Sequence, residues 1–325
     1  MPLHVYNLKC IRRRWGALFQ FLFQCTLSYR NIEFSINALG RMKLDFHFRN
    51  KDHTSKVENQ IYHEWQKVEI RQNTFYLHSS FIDDRALNGK ATINIIGMAN
   101  PDMHSGLYCR IWFENKDDYL DSNVTKTFVI FKEKKAQYKV IQSYLWRCPL
   151  SDDSLIPVSV SLVHSPGDEA DKALPVVDSR PKNGEIKKNK IAVCLKSLYL
   201  PMNINVTSLY LSAWIEILLE LGADKIFTYN LEINPDIGRV LKYYESINKL
   251  DLRKTYVPDL GKNYANIRQK KSLKWNYEMV IWNDCFYRNM YVYEYIAVFD
   301  LDEIPVKRNG GSWQNLSAHF DRGNI

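Results

Sequence analysis

The sequence predicts an α/β protein in two parts: a small antiparallel β-sandwich, then a parallel-sheet domain. Between about Tyr62 and Pro149, short runs rich in β-branched and aromatic residues are separated by turn residues such as Gly89, Gly97, Gly106 and the Asn100-Pro101 pair. From Ile191 onward, short apolar runs alternate with helical patterns, as in a parallel sheet with right-handed crossovers. Between these regions, residues 165–190 combine Pro166, Gly167, Pro175, Pro181 and Gly184 with many charges, the composition of a linker. The expected organisation is an N-terminal segment over 1–60, a β-sandwich over 61–164, a linker over 165–190 and an α/β domain over 191–325.

The N-terminal segment places Arg12 to Arg14 before a mostly apolar run from Trp15 to Leu27, interrupted by Gln20 and Gln24. A bilayer span needs about 20 apolar residues and a signal-peptide core roughly 7 to 15. A signal peptide, a marginal membrane anchor with its basic flank in the cytosol, and an ordinary core helix all remain open. In the sandwich, strands are expected at Thr74–Leu77, Ala91–Ile96, Leu107–Phe113, Thr127–Phe131, Val140–Leu145 and Val158–His164. In the second domain Ile191–Leu195 reads as a strand. Leu211, Trp214, Ile215, Leu218 and Leu219 then recur at the spacing of one helical face, with Gly222 where a C-terminal cap belongs. A strand at Lys225–Tyr229 precedes a helix capped by Asp236, with Ile237, Val240, Leu241 and Tyr244 on one side. A third strand near Leu252–Val257, a helix over Lys271–Asn289 and a fourth strand ending at Asp300 complete the alternation.

That last strand carries the chemistry. Tyr295 to Glu303 reads Tyr-Ile-Ala-Val-Phe-Asp-Leu-Asp-Glu, so an apolar strand runs straight into Asp300 and Asp302 at the sheet edge where ligands of open α/β sheets bind. Two hard oxygen donors this close suit Mn²⁺ or Mg²⁺, which can hold a diphosphate through its remaining positions. The triplet has other readings. An Asp after a strand often only caps a turn, and an apolar strand followed by Asp-x-Asp also opens phosphatases of the haloacid dehalogenase class, with the first Asp as nucleophile. That second reading requires a lysine and acidic ligands far downstream, and little sequence follows Asp302.

Composition bounds the rest. With 46% hydrophobic and 13% aromatic residues in 325, the chain can bury substantial cores. The formal charge of +8 is spread over short basic runs, with no zinc-finger spacing or aromatic RNA-binding motif, so no nucleic-acid partner is expected. A diphosphate ligand, or anionic lipid near the first basic run, would match the charge equally well. The six cysteines include no Cys-x-x-Cys pair. They permit disulfides, of which Cys109 with Cys148 is one candidate, or buried free thiols. Asn123, Asn205 and Asn315 open glycosylation sequons.

Asn283-Asp284-Cys285, Arg288 and Tyr295 through Asp302-Glu303, with Val193-Cys194-Leu195-Lys196, Trp214-Ile215-Glu216 and Leu221-Gly222-Ala223, resemble glycosyltransferase family 92. Tyr76 to Arg85 resembles that family's stem segment, so the similarity extends from about Trp65 to Leu316. The resemblance implies a GT-A type fold, a UDP-galactose donor, a glycan acceptor, Mn²⁺, inversion at the anomeric carbon, and a type II Golgi membrane location. Asp300 and Asp302 match the family's metal motif, and Glu303 its extended form. It further implies that the acceptor half and the general base follow the Asp-x-Asp motif. The chain is therefore expected to keep the donor site and lack the base, with a non-catalytic binding or structural module as the alternative.

Donor binding is also open to Lys196, through a phosphate or the uracil edge, and to Asp284 and Arg288, for which an i,i+4 ion pair is the competing reading. His78 and His104 are expected to be structural or surface residues, Glu216 solvated and Trp214 part of the core.

Overall fold

The computed structural model describes residues 4–6, 65–85, 91–100, 106–114, 118–130, 141–150, 155–170, 172–181, 187–204, 206–258, 271–306 and 311–314. The Trp15–Leu27 run, His104, Asn205 and Asn315 lie outside these residues. Among the described residues no helix is long and apolar enough to cross a membrane.

After a three-residue strand, β1 (His4–Tyr6), nine strands form one large sheet. These are β2 (Gln66–Ile70), β3 (Asn73–Asp83), β4 (Thr92–Ala99), β5 (Tyr108–Phe113), β6 (Tyr119–Asn123), β7 (Lys126–Val129), β8 (Gln142–Pro149), β9 (Pro157–Val163) and β10 (Leu174–Val177). Their order is β6-β5-β9-β10-β3-β4-β8-β7, with β2 added on β3. The pairings are antiparallel except that of β10 with β3.

Two features curl this sheet onto itself, where the sequence suggested two separate sheets. The first is β10, which lies inside the stretch read as a linker and joins the two halves, pairing Leu174 with Val160 on one side and Val176 with Ser80 on the other. The second is the step from β6 to β7. Val124 N–H donates to the Leu107 carbonyl and the next residue, Thr125, donates to Arg147, so one strand leaves β5 and joins β8 within two residues. A Cys109–Cys148 disulfide ties β5 to β8. Phe75, Leu77, Ile93, Ile95, Ile111, Trp146 and Leu162 fill the interior.

The outer face of this sheet is also buried. A register shift in β3 between Leu77 and Ser79 changes which side chains point outward. Tyr76 and Phe81 thus join Ile96, Met98 and Leu145 in a second core. That core covers the long helix over Lys271–Asn289.

There the order is β11 (Lys187–Leu200), α1 (Ser208–Leu221), β12 (Lys225–Ile233), α2 (Pro235–Ser246), β13 (Leu250–Lys254), α3 (Lys271–Asn289), β14 (Tyr293–Phe299) and β15 (Glu303–Pro305). The sheet β13-β12-β11-β14 is parallel throughout. Helices α1 and α2 pack on one face, through Leu211, Trp214, Ile215 and Leu218 against Val193, Leu195 and Ile226. Thr207 caps α1, and Gly222 closes it with a left-handed φ of 115°. Asn234, not Asp236, caps α2: its side chain accepts the Ile237 N–H, and Pro235 occupies the first helical position, where its missing N–H costs nothing. On the opposite face α3 is buried nearly all round, with Tyr277, Val280, Ile281 and Cys285 packed between the two sheets.

Gly97, in the middle of β4, permits a close approach to β3. A Cβ there would overlap the Tyr76 carbonyl and press on Trp146. Gly97→Ala should therefore destabilise the protein by about 1–3 kcal/mol, read as a lower midpoint of chemical denaturation. An unchanged midpoint would show that β3 and β4 part freely.

Candidate functional site

β14 ends at Phe299, opposite Leu195 of β11, and the chain turns at once through Asp300, Leu301 and Asp302. The turn closes on itself. Glu303 N–H donates to the Asp300 carbonyl at 2.9 Å, and the Glu303 carboxylate accepts the Asp300 N–H at 3.0 Å. Helix α1 pins it with two side chains one helical turn apart: the Tyr210 hydroxyl donates to the Leu301 carbonyl at 3.2 Å and the Trp214 indole N–H to the Glu303 carbonyl at 3.0 Å. Trp214 is a core residue, as the sequence implied, and also a clamp on the acidic turn.

Lys196 extends from β11 to this turn. Its ammonium lies 2.9 Å from Asp300 Oδ1 and 3.9 Å from Glu278 Oε1, and Glu278 is 3.5 Å from Lys274, one turn earlier on α3. Burial opposes the Lys196 charge, but Asp300, Glu278 and Asp302 outweigh it and hold its pKa above the usual lysine value. Burial raises Glu278 against the attraction of Lys196 and Lys274. Burial also raises Glu303, and Asp300 and Asp302 add to the shift. No motif marks Glu278; the available clue is a carboxylate on a helix whose neighbouring positions are apolar.

Asp300 Oδ1 is shielded from solvent and accepts no aligned hydrogen bond, despite the nearby ammonium. Asp302 is exposed beside it. A shielded carboxylate oxygen facing an ammonium, next to a second and exposed carboxylate, fits a hard cation. Among the described residues no cluster of three or more His, Cys, Asp or Glu forms a closed site, so other positions would fall to a ligand or water.

Asp284 and Arg288 lie elsewhere. They form a buried i,i+4 ion pair, with Arg288 Nε 2.7 Å and Nη2 2.9 Å from the Asp284 carboxylate. Tyr229 donates its hydroxyl to the same carboxylate, and His78 Nδ1 is 3.6 Å away. Asp284 has no exposed side-chain surface to offer a donor. The structure thus brings Lys196, Asp300 and Asp302 together and places the other two in the seam between the sheets. His78 is buried there, edge-on to Trp65. Glu216 is not merely solvated; it accepts the Tyr244 hydroxyl at 2.6 Å. A cavity of about 290 Å³ between α1 and α2, lined by Ser208, Ser212, Asp236, Arg239 and Tyr243 among others, includes none of the strand-end residues.

The class defined by these features is an α/β domain with an acidic site at the carboxyl edge of a parallel sheet. Residues 189–325 match the model of Glycosyltransferase family 92. The match begins after the curled sheet, so the similarity of Tyr76–Arg85 stands outside it. No curated protein and no solved structure matches the chain. The match is a likeness of the parallel-sheet region to glycosyltransferases.

The seam generates a pH dependence. Burial would raise the Asp284 carboxyl, but Arg288 and His78 hold it well below the usual range. A depressed folded pKa contributes stability that is fully present above about pH 4, the unfolded value, and is lost as pH falls below it. Asp284→Asn should cost about 3–5 kcal/mol at neutral pH by leaving Arg288 buried without its counter-charge. Unfolding free energy measured from pH 7 to pH 2 should fall more steeply in the wild type than in the variant. Parallel curves would remove Asp284 from this role.

Proposed function

We propose that the domain is a metal-dependent hexosyltransferase of GT-A type, moving galactose from UDP-galactose to a glycan acceptor with inversion. The observation that carries this reading is the placement of Asp300 and Asp302 at the carboxyl end of β14, with Asp300 Oδ1 buried and lacking an aligned hydrogen bond. Asp300 and Asp302 would hold the cation, and Mn²⁺ or Mg²⁺, when bound, neutralises charge on the departing diphosphate. Lys196 supplies a second positive charge on the same side of the turn. Tyr210 borders the site: burial and the Asp302 charge both raise its pKa, keeping it a neutral hydrogen-bond donor at physiological pH. The pins from Tyr210 and Trp214 hold the turn rigid, so that little is lost in ordering it when ligand binds.

Location in the secretory pathway, on a Golgi membrane, is part of the proposal. It is supported by two disulfides, Cys109–Cys148 and Cys194–Cys285, of a kind that persists in oxidising compartments, and by the exposed sequon residue Asn123.

Calorimetric titration of the full chain with UDP should show binding in Mn²⁺ and none in a chelator. Asp302→Asn should weaken it at least tenfold, about 1.4 kcal/mol. Transfer from UDP-galactose to a glycan should need the same metal. A wild-type chain that binds UDP equally well without metal would overturn the metal-dependent reading. One that binds no UDP at all would favour a non-catalytic module.

A further inference from the structure

We propose that Lys196 is an internal counter-cation of the strand-end site, resting on Asp300 when no divalent cation is bound and withdrawing to Glu278 when one arrives. Glu278 is then a positioning residue that sets how readily the site accepts metal. This rests on the metal-site reading above, and the experiment below separates the two.

The geometry supplies both resting places. The Lys196 ammonium is within 2.9 Å of Asp300 Oδ1 and 3.9 Å of Glu278 Oε1, so a small rotation about its flexible stem exchanges one carboxylate for the other. Its backbone stays fixed, because the Lys196 carbonyl accepts the Thr228 hydroxyl at 3.1 Å. The two carboxylates differ in freedom. Glu278 has only 8% of its side chain exposed, on a helix buried between two sheets, and cannot follow the ammonium outward; Asp300, at 33%, faces the turn.

Electrostatics requires such an arrangement. Without a cation, Asp300, Asp302 and Glu303 crowd three carboxylates into one tight turn, and an ammonium among them relieves the repulsion. With a divalent cation on Asp300, the ammonium is repelled from the oxygen it occupied. A lysine with no second partner would then have to enter solvent or compete for the site. Glu278 removes that conflict, although Lys274 at 3.5 Å already satisfies part of its charge.

The test is the Mn²⁺ affinity of the full chain without nucleotide, followed by the loss of the free-ion electron paramagnetic resonance signal. Lys196→Met keeps the stem and removes the charge, and should tighten Mn²⁺ binding about tenfold. If that variant does not fold, Lys196→Gln reads the same quantity. Glu278→Gln, nearly isosteric, removes the ammonium's resting place away from the acidic turn and should weaken binding severalfold. In the Lys196→Met background the same Glu278→Gln change should have no effect, an outcome that general damage to α3 would not produce. Asp302→Asn reports on the site itself. Mn²⁺ binding that requires Asp302 but is unchanged or weakened in Lys196→Met overturns the exchange and leaves the metal site standing. Persistence of the Glu278→Gln effect without Lys196 also overturns it. Binding that appears only once Lys196 is neutralised supports the exchange and refutes metal dependence of the native chain. Absence of binding in every variant overturns both.

Discussion

The structure depends on one helix held between two sheets. α3 presents Tyr277, Val280 and Ile281 to a continuous apolar layer that includes Tyr76, Phe81, Ile96 and Met98 of the curled sheet and Cys194, Tyr229 and Phe227 of the parallel one. Burying a helix on both sides leaves little solvated surface for its charges, so a polar residue inside the layer needs a partner there. Asp284 has Arg288, Tyr229 and His78. Asn276 Oδ1 accepts both the Ser143 N–H at 2.7 Å and its hydroxyl at 3.0 Å. The Tyr287 carbonyl accepts the Ser179 hydroxyl at 3.1 Å. These contacts are directional where the apolar ones are not, and they set the rotation of α3 about its axis.

That rotation fixes the strand-end site. Glu278 lies on the same helix, six residues before Asp284, and faces Lys196 only because the seam holds α3 in this orientation. The Cys194–Cys285 disulfide reinforces it: Cys194 lies two residues before Lys196 on β11, and Cys285 follows Asp284 on α3. Strand and helix are thus joined covalently where their charged groups must meet. On the other side of the sheet, Tyr210 and Trp214 of α1 fasten the acidic turn. The carboxylates are positioned from both layers, and the curled sheet reaches them indirectly by holding α3.

Much of this was legible. The parallel region follows its apolar periodicity closely, α3 over Lys271–Asn289 included, because alternating buried strands and amphipathic helices leave a strong local pattern. β2, β6 and β10 were not legible. β6 is short with no fully buried residue, and β10 carries Pro175 within a charged, proline-rich stretch, so its strand character comes from two neighbours distant in sequence. Closure of the large sheet followed the same logic, since no local pattern marks the residue pair at which a strand changes partners. In the site, Asp300, Asp302 and Lys196 could be read from strand ends. Glu278 could not, because its partner is 82 positions away and lies on another element.

Asp284 and Arg288 show why motif residues resist assignment from spacing alone. A carboxylate and a guanidinium four apart on a helix beside a nucleotide-type sheet look equally suited to a ligand or to each other. The deciding quantity is what covers the helix, and that information resides in Tyr76 to Arg85, far upstream. The end of that segment makes the point physically. Asp83 takes Arg85 at 2.8 Å and Asn94 at 3.1 Å, while the Asp84 N–H donates to the Tyr291 hydroxyl at 2.9 Å, just beyond the end of α3. The segment is a docking face for α3, and the polar residues of α3 are its counterpart. Two stretches that look like independent signatures in sequence are therefore the two sides of one interface. A change in either is transmitted first to the orientation of α3, and through Glu278 to the acids at the strand end.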